Sequence, residues 1–334
     1  MRPFVCRLTL ASLAMALLLG LATPAIAGEK PRIVASILPV HSLVAALAGD
    51  TYEVELLVPA SASPHGYAMR PSEARRLQNA DLIVWVGPDL ETFLERALQG
   101  ARRQAPVISL MEDLNLELLE TREGGVWEHG HHGHGHDDDH GHDHDHGHGH
   151  GHDHGHQDHA HGHHDAHIWL SPELVRSMIT QLANQIIEWD PSRADPIAAN
   201  RDALLDRIDS LDTRLAEQLA PVRDQAFIVF HDGYQYFERH YGLNAAGSIS
   251  IDPSRMPGPR RLSELRERVQ EGDVVCLFTE PQFRPALAET VAEGTDTRLG
   301  VLDPVGAELE PGPDAWFELM QNMADGFAGC LGKE

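Results

Sequence analysis

The chain has 334 residues, and its formal charge of −25 reflects 51 acidic against 26 basic residues. An acidic surface repels phosphate backbones and anionic lipid headgroups, so this charge argues against a nucleic acid or a membrane surface as the partner. The same negative field favours the capture of cations.

Two basic residues and a short apolar stretch open the chain. Arg2 and Arg7 precede the apolar residues 8–21, and Ala25-Ile26-Ala27 places small residues where a signal peptidase reads them. The apolar stretch is shorter than the ~20 residues that span a bilayer, which argues against a membrane anchor. We therefore predict a cleavable signal peptide over residues 1–27 and a soluble protein in the periplasm.

Residues 32–110 alternate between strand and helix patterns. Apolar runs predict strands at 32–38, 52–58, 82–86 and 107–110, and the stretches between them predict helices at 41–49, 72–80 and 90–102. This alternation is typical of a parallel sheet covered by helices. The sequence thus predicts an N-terminal α/β lobe, which we place at 28–190.

A run of histidine, aspartate and glycine interrupts this lobe. Residues 129–164 hold 18 of the 23 histidines and a single aliphatic residue, Ala160. Because so little apolar surface cannot offset the entropy of ordering, we predict a disordered loop over 128–164. Imidazole is a common ligand of transition metals, so the run indicates several weak, exchanging metal sites. A solubilising linker is the alternative, but a linker does not need histidines.

Two helices are predicted after the run, at 172–189 and 195–219. The second has apolar residues at steps of three and four: Ile197, Leu204, Ile208, Leu211, Leu215 and Leu219. An uninterrupted helix of this length would extend about 37 Å, the width of a small domain. We predict a rigid connecting helix within 191–221.

The remaining sequence repeats the alternation of the first lobe. Strands are predicted at 226–230, 247–251, 274–278 and 298–302, and helices at 235–241, 261–270, 285–292 and 314–328. The fold class is therefore α/β, with a C-terminal lobe at 222–334 and a cleft between two lobes. Ligands of such sheets bind beyond the carboxyl ends of the strands.

Two cysteines remain in the exported chain. Cys6 leaves with the signal peptide, which leaves Cys276 and Cys330 in an oxidising compartment. An even pair in such a compartment indicates a disulfide. Two buried free thiols are the alternative.

Four residues at the ends of strands or loops are candidate metal ligands: His65, His167, His231 and Asp303. Three imidazoles and one carboxylate would form a tetrahedral site in the cleft. Each histidine alone would be read as a surface or capping residue. Their wide spacing means that only the folded protein could assemble the site.

The local motifs around these residues carry a resemblance. The motifs are Ser63-Pro64-His65-Gly66-Tyr67, Asp165-Ala166-His167-Ile168-Trp169, Phe230-His231-Asp232-Gly233-Tyr234 and Leu302-Asp303-Pro304. They resemble, in this order, the metal-ligand motifs of the zinc-binding periplasmic solute-binding proteins of bacterial ABC importers, the ZnuA-like group. Thr279-Glu280-Pro281 and the paired cysteines are similar to the zinc subgroup.

The resemblance implies two α/β lobes bridged by a long helix, with Zn²⁺ captured between them. It implies zinc ligation by His65, His167 and His231, with Asp303, a water or another carboxylate completing the shell. For Glu280 we expect a supporting role. The implied partners are a membrane permease and its cytoplasmic ATPase, and we expect a monomer.

The set of donor atoms indicates which metal binds, and it also bears on the alternative functions. Manganese-binding relatives carry Glu where this chain has His231, and three nitrogens suit Zn²⁺ better than Mn²⁺, which prefers oxygen-rich octahedral shells. A zinc hydrolase would use the same ligands with an activated water, but no His-Glu-x-x-His motif is present. A histidine-rich metal store would explain residues 128–164 and leave the two lobes without a purpose. We therefore predict a zinc-binding transport protein that is not an enzyme.

Overall fold

The computed structural model describes residues 29–101, 105–122, 127, 164–251, 253 and 257–332. The predicted signal peptide and nearly all of the predicted histidine-rich loop lie outside these residues. The described residues from Pro31 onward form one compact unit. In the part that is described, no helix is long and apolar enough to cross a membrane.

The first sheet has four parallel strands in the order β2-β1-β3-β4. Its elements are β1 (Arg32–Ala35), α1 (Leu38–Ala48), β2 (Glu53–Leu56), α2 (Pro71–Gln78), β3 (Leu82–Trp85), α3 (Glu95–Ala101) and β4 (Val107–Ser109). Strands β1 and β3 are almost completely buried because helices cover both faces of the sheet. The predicted parallel sheet is confirmed.

Two helices next to this sheet begin well away from the predicted residue. Helix α1 begins at Leu38 rather than at 41, because Pro39 occupies its first turn, where proline is tolerated. Helix α3 begins at Glu95 rather than at 90. The carboxylate of Glu91 accepts a hydrogen bond from Gly87 N at 3.0 Å, and this contact folds the intervening residues into separate turns.

Helices α4 (Pro172–Trp189) and α5 (Ala194–Leu219) connect the two sheets. Ser171 caps α4 by accepting a hydrogen bond from Leu174 N at 3.3 Å. The buried face of α5 consists of the six apolar residues that predicted it: Ile197, Leu204, Ile208, Leu211, Leu215 and Leu219. Its 26 residues make a helix about 39 Å long.

The second sheet repeats the strand order of the first as β6-β5-β7-β8, again parallel. Its elements are β5 (Ala226–His231), α6 (Gln235–Tyr241), β6 (Ala245–Ser250), α7 (Pro259–Gln270), β7 (Val274–Thr279), α8 (Ala286–Ala292), β8 (Arg298–Val301) and α9 (Ala315–Leu331). A disulfide between Cys276 of β7 and Cys330 of α9 confirms the predicted pairing.

The halves share a core in addition to the connecting helix. Helix α5 packs against α1, α4 and α9, and α1 also packs against α9. Two fully buried tryptophans add hydrogen bonds across the junction. Trp169 Nε1 donates to Pro304 O at 2.7 Å, and Trp316 Nε1 donates to Trp169 O at 2.9 Å. The two α/β lobes bridged by a long helix are thus confirmed, while their limits at 28–190, 191–221 and 222–334 stay a prediction.

Candidate metal site

Three imidazoles from distant parts of the chain meet between the sheets. His65 lies in the loop after β2, His167 precedes α4, and His231 ends β5. Their Nε2 atoms converge: His167 Nε2 lies 3.4 Å from that of His65 and 3.2 Å from that of His231. Ligand atoms about 2.0–2.1 Å from a tetrahedral zinc ion are about 3.3 Å apart, so the observed spacing suits one zinc ion.

The absence of a side chain at Gly233 keeps this space open. A Cβ atom at this position would lie 2.4 Å from His231 Nε2 and 2.9 Å from His167 Nε2. Both distances are shorter than a normal nonbonded contact between a carbon and a nitrogen atom. Glycine is therefore required here by the close approach of the backbone to the nitrogens that face one another.

A carboxylate orients His167. Asp165 Oδ1 lies 2.7 Å from His167 Nδ1 and accepts a hydrogen bond from His167 N at 3.0 Å. Both side chains are buried. A carboxylate on Nδ1 favours the tautomer that leaves Nε2 unprotonated, and it fixes the direction of the ring. The Nε2 atom of His167 is therefore left able to bind a metal ion.

A second carboxylate orients His231. Glu280 directly follows β7, and its Oε1 lies 2.5 Å from His231 Nδ1. Only 3% of the His231 side chain and 2% of the Glu280 side chain are exposed. Burial by itself lowers the pKa of His231, but the charge and the hydrogen bond of Glu280, together with the charges of Asp232 and Asp165, outweigh burial and raise this pKa. Glu280 thus holds the His231 ring from behind, and its supporting role in metal binding stays a prediction.

His65 is held differently. Its backbone N donates to Ser63 Oγ at 3.3 Å, and its ring contacts the rings of His167 and His231. Loss of hydration, and then the two neighbouring imidazoles, lower the pKa of His65 well below its ordinary value. Its imidazole is therefore neutral near pH 7, the state that binds metal.

The loop that carries His65 is fixed at its far end. Glu73, in the first turn of α2, accepts hydrogen bonds from Tyr67 OH at 2.9 Å and from Arg70 N at 2.6 Å. These contacts cap α2 and fasten the loop two residues beyond His65.

Asp303 lies two residues beyond β8, and its carboxylate has protein partners. It accepts hydrogen bonds from the backbone N atoms of Val305, Gly306 and Ala307 at 3.2, 2.9 and 2.5 Å, and from Gln282 Nε2 at 2.8 Å. Within the described residues, the group whose donor atoms all lie within 4.8 Å of one another contains the three histidines. Three of the four predicted ligands are therefore brought together, and the fourth organises a turn.

Two features of the site were not predicted from the sequence. The role of Asp165 had a local signal, since it stands two residues before a candidate ligand. The clearance at Gly233 had none, because it depends on His167, which is 66 residues away in the chain.

Known proteins share this fold and much of this sequence. The family described as "Zinc-uptake complex component A periplasmic" matches residues 33–330. The high-affinity zinc uptake system protein ZnuA of Brucella suis biovar 1 (strain 1330) is 43% identical over 326 residues, covering 96% of this chain and 98% of the relative. The protein of the same description from Paracoccus denitrificans (strain Pd 1222) is 42% identical over 324 residues, covering 97% and 98%.

A solved structure gives the same result. The crystal structure described as a 138-173 ZnuA deletion mutant plus zinc bound has a TM-score of 0.71 and 25% identity, and it covers 92% of this chain and 100% of the solved one. Family match, sequence identity and fold agree over nearly the whole described chain. The protein belongs to the ZnuA family, the periplasmic component A of zinc-uptake complexes.

Proposed function

We propose that this protein captures Zn²⁺ outside the cytoplasm and delivers it to the permease of an ABC importer. The observation that supports this most directly is the convergence of the Nε2 atoms of His65, His167 and His231, which meet at the spacing of tetrahedral zinc ligands. The zinc uptake described for the relatives and the zinc bound in one solved structure agree with it.

The donor set explains a preference for zinc. Three neutral nitrogens suit a borderline metal with tetrahedral geometry, whereas Mn²⁺ prefers oxygen in octahedral shells. Ni²⁺ and Co²⁺ would also bind in vitro, so selection among nitrogen-loving metals depends on geometry and availability.

The fourth ligand is a water or Asp303. Ligation by Asp303 would require its carboxylate to give up hydrogen bonds from three backbone N–H groups and from Gln282. A water needs no such change. We therefore favour water in the conformation described and Asp303 as a ligand only after the turn rearranges.

Capture and release follow from the way the imidazoles are held. Asp165 and Glu280 direct the Nε2 atoms of His167 and His231 to one point before the metal arrives. The bound ion is cargo, and the energy for its translocation comes from the ATPase attached to the permease. We further propose that residues 1–27 are removed on export and that the mature protein acts as a monomer in the periplasm.

The histidine-rich residues 128–164 are proposed to collect or buffer zinc around this site. Their 18 histidines also support a second candidate function, metal storage. The two functions differ in where the tightest site lies. Transport requires it in the histidine triad, whereas storage places it in residues 128–164.

Zinc titration by calorimetry with chelator competition separates these functions. It would compare the protein lacking residues 1–27, the same protein without 128–164, and a His65→Ala, His167→Ala, His231→Ala variant. We expect the deletion to keep one tight site and lose the weak ones, and the triple variant to do the reverse. A tight site that survives the triple substitution would move storage to first place.

A further inference from the structure

A guanidinium group lies between two buried carboxylates behind the triad, with 21% of the Arg122 side chain exposed. Arg122 Nε donates to both carboxylate oxygens of Asp232, at 3.0 and 3.1 Å, and Nη1 donates to Glu238 Oε2 at 2.7 Å. The guanidinium carbon also lies 3.6 Å from the ring centre of Trp127. The Asp232 and Glu238 side chains are only 6% and 5% exposed. Removing charged groups from water costs free energy unless each charge is paired with an opposite one. Arg122, Asp232 and Glu238 therefore hold one another in place.

The segment that carries Arg122 also holds the carboxylate behind His167. Leu119 O accepts a hydrogen bond from Asp165 N at 2.8 Å, and Leu119 N donates to Tyr236 OH at 2.9 Å. Tyr236 OH in turn donates to Asp165 O at 3.0 Å. The position of Asp165, and with it the direction of the His167 ring, therefore depends on where this segment lies.

The other end of the bridge lies next to His231. Asp232 follows His231 directly, and its backbone N donates to Ser250 O at 3.1 Å. Gly233 N donates to His231 O at 2.9 Å. The carboxylate that receives Arg122 thus belongs to the tight turn that aims His231 and keeps the space at Gly233 open.

The Arg122 side chain therefore links the segment that holds Asp165, behind His167, to the turn that carries His231. It contacts Asp232 across 110 residues of sequence. On the basis of the proposed zinc function, we propose that Arg122 is a positioning residue for the metal site. Its bridge to Asp232 and Glu238 holds the His167 and His231 segments at the spacing that one zinc ion needs. Without this bridge, the two segments would have to become ordered when zinc binds. The entropy cost of that ordering would lower the affinity.

The test is zinc binding by an Arg122→Gln variant in the protein lacking residues 1–27. Partners outside the ligand set typically change metal affinity by about 10–100-fold, and we expect the Kd of the tight site to rise about tenfold, mainly through faster dissociation. The stoichiometry of one tight site stays the same. Arg122→Lys should recover part of the loss, because it keeps the charge without the forked geometry.

Arg207 provides a matched control. It also combines a carboxylate with an aromatic ring, since Nη2 lies 2.5 Å from Asp314 Oδ1 and the guanidinium carbon lies 4.0 Å from the ring centre of Phe317. Its side chain is 47% exposed. Arg207→Gln should leave the Kd for zinc unchanged.

Unfolding of the zinc-free and zinc-loaded forms separates positioning from stability. A residue that only stabilises the fold lowers both stabilities equally and leaves the Kd unchanged, and that result for Arg122→Gln would overturn the proposal. If Arg122→Gln does not fold, Arg122→Lys decides in the same way, with an unchanged Kd and dissociation rate counting against positioning. Lack of a tight zinc site in the unsubstituted protein would instead refute the proposed function.

Discussion

His231 and His65 come from two sheets with the same strand order, yet they are held differently. His231 ends an inner strand, is buried, and has Glu280 behind its ring. His65 lies in a loop after the edge strand β2 and is partly exposed. Among the described residues, the hydrogen-bond contact of its ring is with the ring of His167, another candidate ligand. Carboxylates therefore stand behind His231 and His167, whereas the loop delivers His65.

For the proposed metal site, we infer an order of events during capture from this difference. A pair of ligands whose rings are already aimed can receive the ion first, at little cost in conformational entropy. The ligand on the loop then completes the shell. We expect disturbance of the fixed pair to reduce affinity far more than disturbance of the loop.

The largest effect is expected from Gly233→Ala, which fills the space between the fixed pair. The new Cβ would lie 2.4 Å from His231 Nε2, so we expect zinc affinity to fall by about 100-fold or more, about 2.7 kcal/mol. Chelator competition measures this loss. Gly329→Ala is the control, since a Cβ there meets nothing within 4 Å, and its affinity should not change. Tight binding by Gly233→Ala would show that the triad is not the site.

Glu280→Gln should have the next largest effect. The amide can still accept a hydrogen bond from His231 Nδ1 but no longer supplies the charge. We expect a loss of about 10–100-fold in affinity, with the protein still folded. Competition titration together with circular dichroism would check both points. An affinity within a factor of about two would mean that Glu280 does not tune the ligand.

The pH dependence of zinc binding should reflect the same asymmetry. Glu280 raises the pKa of His231, and desolvation lowers that of His65, so His231 takes up a proton at the higher pH. A proton on a ligand competes with zinc, so affinity falls by about tenfold per pH unit below the pKa of His231. In Glu280→Gln the decline should begin at a lower pH. Parallel curves for the two proteins from pH 8 to 5.5 would contradict this assignment.

Glu73→Gln should have the smallest effect on binding. It weakens the contacts with Tyr67 OH and Arg70 N that fasten the His65 loop. We expect a loss of about 1 kcal/mol in the free energy of unfolding and a rise of no more than about threefold in the Kd for zinc. Denaturant unfolding and competition titration measure the two quantities. A tenfold rise would show that the loop also aims its ligand in advance.

Local patterns in the sequence were enough to predict many of the helices and strands. The apolar residues of α5 predicted its buried face, and Pro172 and Pro196 marked the beginnings of α4 and α5. Errors arose where a pattern fits two structures. The strand predicted at 32–38 ends at Ala35, and residues 36–38 form a bend and the start of α1. A short, mostly apolar run does not distinguish a strand from a buried helix.

The candidate site was predictable to the extent that its residues carry local motifs. His65, His167 and His231 each stand in a recognisable stretch, and the structure places them together. The motif around Asp303 could not reveal that its carboxylate binds the following backbone. Arg122 carried no signal at all, because its partners are 110 and 116 residues away.

The buried tryptophans have a consequence for the lifetime of the loaded state. Trp169 stands two residues after His167 and donates its indole hydrogen to Pro304, next to Asp303, on the opposite side of the cleft. Separation of the sheets would break this bond in a place that water does not reach, where an unpaired donor is costly. Spontaneous opening is therefore unfavourable, and in the proposed transport function the zinc ion would stay bound until the protein meets the permease. Release would then depend on that contact rather than on dilution.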